Sequence, residues 1–221
     1  LPSKYTFYPS MLIELKQVIP EPIPKEMIER SEVWGTQLQI EPKSFTLISA
    51  HSGKGKSTLL HLLYGLRKDF SGEVIMDGEN IQNQTSSGWT SLRSTQIALL
   101  FQELKLFPKL CARENIELIP QINHNLPSGL EMAKQLGMEG FLTKPVETLS
   151  FGQRQRIALI RTLRKPFKLL LLDEPFSHLD QENIDLASSL INEIARANQA
   201  TVLLTSLGET PPLSFDRILS L

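Results

Sequence analysis

The sequence predicts an α/β fold: a mostly parallel sheet carrying a phosphate-binding loop, an N-terminal antiparallel β-subdomain and an inserted α-helical subdomain. Three observations lead there. The glycine-rich run 50–58 lies between a short apolar, β-rich run, Phe45–Ser49, and residues 59–66, where apolar side chains recur at helical spacing. Runs 97–101 and 169–172 are apolar almost throughout, as strands covered on both faces are. Residues 72–78 set a short apolar run, Val74-Ile75-Met76, between acidic residues and two glycines, and are read as an antiparallel strand followed by a turn.

Composition excludes several classes. The chain has 221 residues, 41% hydrophobic and 21% charged, which fits one globular domain and no fibrous or disordered class. A net charge of -1 supplies no overall field for nucleic acid or an anionic membrane. One cysteine, Cys111, cannot pair internally, and no apolar run approaches the ~18 residues of a membrane span. Both point to a reducing, cytosolic compartment, with any membrane-spanning part on a partner. Met11 stands as a candidate native start.

Further along, Ser128 with Glu131 gives a capping-box signal; Leu130, Ala133 and Leu136 are read as one helix face, and Gly137 as its stop. A second helix starts at Ser150, with Gln153 three residues on, and must end before Pro166. Ile184, Ala187, Ile191 and Ile194 line a third, and 201–205 is another buried strand. The proline-rich stretch 20–24 reads as a loop. The resulting division is a single domain over 1–221. Residues 11–45 and 70–80 form the β-subdomain, 46–69, 81–101 and 166–221 the core, and 102–165 the helical subdomain.

Chemistry enters at the loop Ala50-His51-Ser52-Gly53-Lys54-Gly55-Lys56-Ser57-Thr58. A backbone that wraps phosphate must bring several N–H groups to one point and then start a helix, whose dipole favours the anion. Glycines permit the approach. Lys56 is placed to reach the β and γ phosphates, and the Ser57 hydroxyl to hold Mg²⁺. The nucleotide contacts assigned here are Ser52, Gly53, Lys54, Gly55, Lys56, Ser57 and Thr58; the side chains of His51 and Lys54 are read as solvated. Ala50 stands where the motif usually starts with glycine. Asp173 ends an apolar strand, so it can face the loop across the carboxyl edge of the sheet and suits a water-mediated Mg²⁺ contact. Glu174 follows it into the site.

Between loop and strand end lies Leu149-Ser150-Phe151-Gly152-Gln153, twenty residues before Asp173. The three motifs in this order resemble the ATP-binding-cassette (ABC) family of ATPases, over nearly the whole chain from about Met11 to Leu221. The resemblance implies a P-loop NTPase core with a Walker A loop, a Walker B strand and a signature helix. It implies that Glu174 is the catalytic base, with Lys56 and Gln102 beside it, and that Gln102, matching the Q-loop glutamine, joins Ser57 and Asp173 at the metal. It also implies that two copies, or an ABC heterodimer, close head to tail over two ATP molecules. Each terminal phosphate then meets Lys56 of one chain and Ser150, Gly152 and Gln153 of the other, with Asp180 of the D-loop at the interface. Phe151 departs from the usual glycine, and an aromatic there is expected to point away.

Two departures matter. The family places a histidine after strand 201–205, where this chain has Leu207, so hydrolysis is expected to be slow. The adenine-stacking aromatic has one candidate, Trp34, equally suited to packing in the β-subdomain. The spacing from Ser57 to Ser150 leaves no room for a long coiled-coil insertion, which favours a transporter subunit on the inner face of the cell membrane, bound to a permease. Residues 106–116 are similar to the segment after the Q-loop in ATPases of the lipoprotein-releasing and macrolide-export type. An ATP-switched scaffold with little turnover is the alternative; a small-molecule kinase leaves the signature helix unexplained. Arg154, Arg156, Arg161, Arg164, Lys165 and Lys168 read as a solvated basic face, and without interleaved aromatics no nucleic acid is expected.

Overall fold

The computed structural model describes residues 10–221 except 52 and 120. In chain order its strands are β1 (Ile13–Pro20), β2 (Gln37–Ile40), β3 (Phe45–Ser49), β4 (Phe70–Met76), β5 (Glu79–Asn80), β6 (Ile97–Leu100), β7 (Leu169–Asp173), β8 (Thr201–Ser206) and β9 (Arg217–Ser220). Its α-helices are α1 (Lys25–Glu29), α2 (Lys56–Leu63), α3 (Ser86–Thr95), α4 (Ala112–Glu117), α5 (Gly129–Gln135), α6 (Phe151–Leu163) and α7 (Gln181–Ala197). One sheet has the order β2-β1-β4-β5 and antiparallel pairing. The other has the order β6-β7-β8-β3-β9 and parallel pairing.

The apolar strands behave as their composition dictates. Successive residues face opposite sides of the parallel sheet, so Leu170, Leu172, Val202 and Leu204 enter a core shared with α5, α6 and α7. Leu169, Leu171 and Leu203 enter a second core, shared with α2 and the antiparallel sheet. Burial on both faces requires an unbroken apolar run, which is why these strands stand out in the sequence.

Local signals fix the helix starts. The Ser128–Glu131 and Ser150–Gln153 capping boxes both form, and Gly137 adopts the left-handed conformation after α5. The expected core face of α5 needs correction. Leu130 is exposed, while Met132 joins Ala133 and Leu136 in the core. A helix of this length has its buried face chosen by the elements it packs on. Helix α4 has no assignment in the sequence analysis; its cap is the Cys111 sulfur, which accepts from the Glu114 N–H. Asn115 within α4 is fully buried and holds the preceding loop through Phe107 N, Phe107 O, Leu110 O and Cys111 O.

Two glycines separate backbone cost from packing cost. Gly65 and Gly78 both have positive φ, but a Cβ on Gly65 would lie 2.4 Å from the Trp89 ring, while one on Gly78 meets nothing. In urea denaturation, Gly78→Ala is expected to cost about 1 kcal/mol of unfolding free energy from left-handed strain alone. Gly65→Ala is expected to cost at least about 2 kcal/mol, because the buried Trp89 must move.

Candidate functional site

The phosphate loop joins β3 to α2 at the carboxyl edge of the parallel sheet. Gly53 and Gly55 take φ of +78° and +92°, and Gly55 is the N-cap of α2. Lys56 is only 4% exposed; its Nζ donates to Ala50 O at 2.7 Å and His51 O at 3.1 Å. His51 and Lys54 are exposed. Ser52 lies outside the described residues.

Trp34 is not placed for stacking on a base. It is buried at 1% exposure, and a Cβ on Gly55 would sit 3.3 Å from its Nε1, so the indole underlies the loop. The large apolar area of its ring explains this, since it packs in the core shared by the antiparallel sheet and α2.

Asp173 ends β7, and Glu174 follows with φ of +47°, a conformation that non-glycine residues seldom adopt. Neighbours hold it there. The Glu174 N–H donates to Thr205 Oγ1 at 3.0 Å, and its carbonyl accepts from Gln155 Nε2 at 3.1 Å. Its carboxylate lies 3.2 Å from Lys56 Nζ and accepts from Gln102 Nε2 at 3.4 Å. Thr205 Oγ1 also donates to Asp173 Oδ1 at 2.9 Å, which leaves Asp173 Oδ2 buried and unpartnered. Buried carboxylate oxygens are costly without a partner, and an oxygen donor set with few protein ligands suits hydrated Mg²⁺.

Thr205 and Gln155 carry no assignment in the sequence analysis. Thr205 is central because β8 lies between β3 and β7, with Thr205 opposite both Ile48 and Asp173. A threonine at the end of an otherwise aliphatic strand is a weak signal for such a role. Leu207 follows β8 and is 47% exposed. It lines, with Glu174 and the buried Ser206, a cavity of about 540 Å³.

Ser150 caps α6 and is exposed, with its Oγ accepting from Gln153 N and the Gln153 amide oxygen accepting from Ser150 N. Gly152 admits no side chain here, because a Cβ would lie 2.9 Å from His178 O. Phe151 does turn aside: its ring stacks edge-on against His178 with centroids 4.1 Å apart. Asp180 caps α7, and its bonds from Asn183 hold its carboxyl below the usual range.

Four of the basic residues read as a solvated face, Arg156, Arg161, Arg164 and Lys165, are instead engaged with the rest of the fold. Arg156 donates to Leu136 O and Asn183 Oδ1, Arg161 to Leu104 O and Lys105 O, and Arg164 to Ile116 O. Lys165 donates to Ile97 O, and burial, with Arg93 nearby, pulls its pKa down to about 8. Helix α6 thus binds carbonyls of the surrounding loops, including the left-handed turn Leu104-Lys105 just after Gln102.

This geometry matches known proteins. Residues 34–177 match the family model described as ABC transporter. The thiamine import ATP-binding protein ThiQ of Vibrio vulnificus (strain YJ016) is 36% identical over 180 residues, covering 79% of this chain and 74% of that protein. The lipoprotein-releasing system ATP-binding protein LolD 2 of Rhodopirellula baltica is 33% identical over 221 residues, covering 95% of this chain and 86% of that protein. The dimeric structure of MJ0796, a bacterial ABC transporter cassette, superposes with a TM-score of 0.75 at 28% identity, covering 88% of each chain. A post-hydrolysis dimer of the same cassette, bound to ADP and Pi, gives 0.73 at 27%, covering 88% of this chain and 87% of that one. On its motifs, its fold and these likenesses, the chain belongs to the ABC transporter family.

Proposed function

We propose that this chain is the ATP-hydrolysing subunit of an ABC transporter, closing head to tail with a second copy on ATP and driving a separate membrane permease from the cytoplasmic side. The observation that carries this is Glu174, held by Thr205 and Gln155 with its carboxylate against Lys56 and Gln102. Among the described residues no helix is long and apolar enough to cross a membrane, which agrees with a permease on another chain.

Residues 53–58 bind the phosphates through backbone N–H groups and the N-terminus of α2, and Lys56 neutralises charge at the terminal phosphate. Glu174 orients a water molecule and takes its proton as the water oxygen bonds to the γ phosphorus and the bond to the β–γ bridging oxygen breaks. ADP and phosphate leave. Mg²⁺, which Ser57, Gln102 and Asp173 would hold, supplies charge neutralisation on the phosphates. The partner subunit's Ser150, Gly152 and Gln153 close the site from the other side, and Asp180 lies at the interface.

Leu207 offers no donor where the family has a histidine, and loss of one preorganised donor costs about 10² to 10³ in rate. Turnover is therefore slow unless Ser206 or a partner substitutes. The same residue favours the second reading, a clamp that closes on ATP and hardly turns over.

Three kinetic outcomes are expected in a phosphate-release assay. Glu174→Gln lowers kcat at least about 10²-fold with nucleotide binding retained; tight binding with no turnover in either protein supports the clamp. Leu207→His raises kcat about tenfold or more, and an unchanged rate means the histidine's task is met elsewhere. Thr205→Val lowers kcat about tenfold with KM nearly unchanged, because it releases Glu174 and Asp173 without touching the phosphate loop. Co-purification of an integral membrane protein with the native chain separates transport from a soluble role.

A further inference from the structure

Leu207 leaves the place beside Glu174 without a donor, while an imidazole with no task in the site stands exposed next to the signature. His178 lies between β7 and α7. A Cβ on Gly152 would come within 2.9 Å of its carbonyl oxygen, so the residue is seated against the tip of α6. Its ring meets Phe151 edge-on with centroids 4.1 Å apart, and Arg154 Cζ lies 5.3 Å from the centre of the same Phe151 ring. A glycine at 151 would offer an imidazole nothing to rest on; the phenylalanine of this chain does.

The cavity at Leu207 lacks what His178 carries. Its lining includes Ser177 and Leu179 but passes over His178, so the imidazole does not serve the cavity of its own chain. Glu174, Ser206 and Leu207 border about 540 Å³, room enough for a ring from outside. Ser206 Oγ is buried there with no hydrogen-bond partner among the described residues, a costly state for a hydroxyl. Imidazole always keeps an N–H to donate, and a hydroxyl can pair with its second nitrogen whether or not that nitrogen is protonated. In a head-to-tail pair the tip of α6 is delivered to the terminal phosphate of the other chain, and His178 travels with it. Glu174 stands at that phosphate and shares its cavity with Leu207, so the imidazole arrives beside the position that lacks a donor.

Resting on the head-to-tail reading above, we propose that His178 is a catalytic residue in trans: one ring N–H donates to a terminal-phosphate oxygen in the other chain's site, and the second nitrogen pairs with the partner's Ser206. No proton moves through it; it stabilises charge on that oxygen as the bond to the bridging oxygen breaks. A donor that must arrive across an interface supplies part of what an in-chain histidine supplies, so His178 and Leu207→His fill one deficit.

Phosphate release and crosslinking on the full chain test it. His178→Ala is expected to lower kcat about tenfold with KM nearly unchanged, and His178→Gln, which keeps an N–H, to stay within about threefold of the parent. Leu207→His is expected to gain about 10²-fold in the His178→Ala protein against about tenfold in the parent. Cys111→Ser removes the native thiol and leaves a hydroxyl at the α4 cap. Adding His178→Cys, Leu207→Cys and Glu174→Gln to that protein is expected to let a short bismaleimide join two chains only with Mg-ATP. An unchanged kcat in His178→Ala, equal gains from Leu207→His in both backgrounds, or a nucleotide-bound dimer whose crosslinks stay within one chain overturns the trans histidine and leaves the dimer standing. A protein that stays a single chain in sedimentation with Mg-ATP overturns the head-to-tail reading itself.

Discussion

A lysine and a glutamate, both almost wholly out of water, face each other across 3.2 Å at the carboxyl edge of the parallel sheet, and the surrounding chain is arranged to keep them there. Two buried charges are tolerable only with good geometry and further hydrogen bonds, and removing one partner of such a pair costs about 3–5 kcal/mol. Here the further bonds come from four separate segments. Ala50 and His51 carbonyls hold the lysine, Thr205 and Gln155 hold the glutamate backbone, and Gln102 meets the carboxylate. Strand order explains how segments so far apart in sequence meet, since β3, β8 and β7 are neighbours and end together.

Helix α6 connects that pair to the rest of the protein. Its N-terminus presents Ser150 to solvent, its second turn carries Gln155 to the Glu174 carbonyl, and its third turn carries Arg161 to the turn beside Gln102. A shift of this helix therefore moves the glutamate and the glutamine together. A rigid element bonded to both flanks of a site is a physical route by which an event at the signature end, or on the helical subdomain, alters the phosphate end. The left-handed Leu104 and Lys105 on that route are strained for non-glycine residues, and Arg161 stabilises the turn by donating to both carbonyl oxygens.

What the sequence made legible followed from locality and burial. Strands buried on both faces announce themselves as unbroken apolar runs, and the Ser128 and Ser150 capping boxes span only four residues each. The phosphate loop and the Asp173-Glu174 strand end were legible because their chemistry is written in consecutive residues. The misread positions depended on distant partners. Leu130 faces solvent because α5 packs through Met132 and Ala133; Trp34, which the sequence leaves open between packing and stacking on a base, underlies Gly55. The basic residues of α6 look solvated in sequence, yet Arg161 bonds a carbonyl 57 residues away. Thr205 and Gln155 reach Glu174 across 31 and 19 residues, so only the assembled sheet reveals them.

The central claim is that this buried centre is completed by a second copy of the chain, whose capped α6 terminus supplies what one fold cannot direct at its own phosphate loop. Sedimentation of the Glu174→Gln protein with saturating Mg-ATP tests that most directly. The account predicts a shift from the mass of one chain to that of two, reversed when nucleotide is removed. One nucleotide bound per chain with the mass remaining that of a single chain would contradict it.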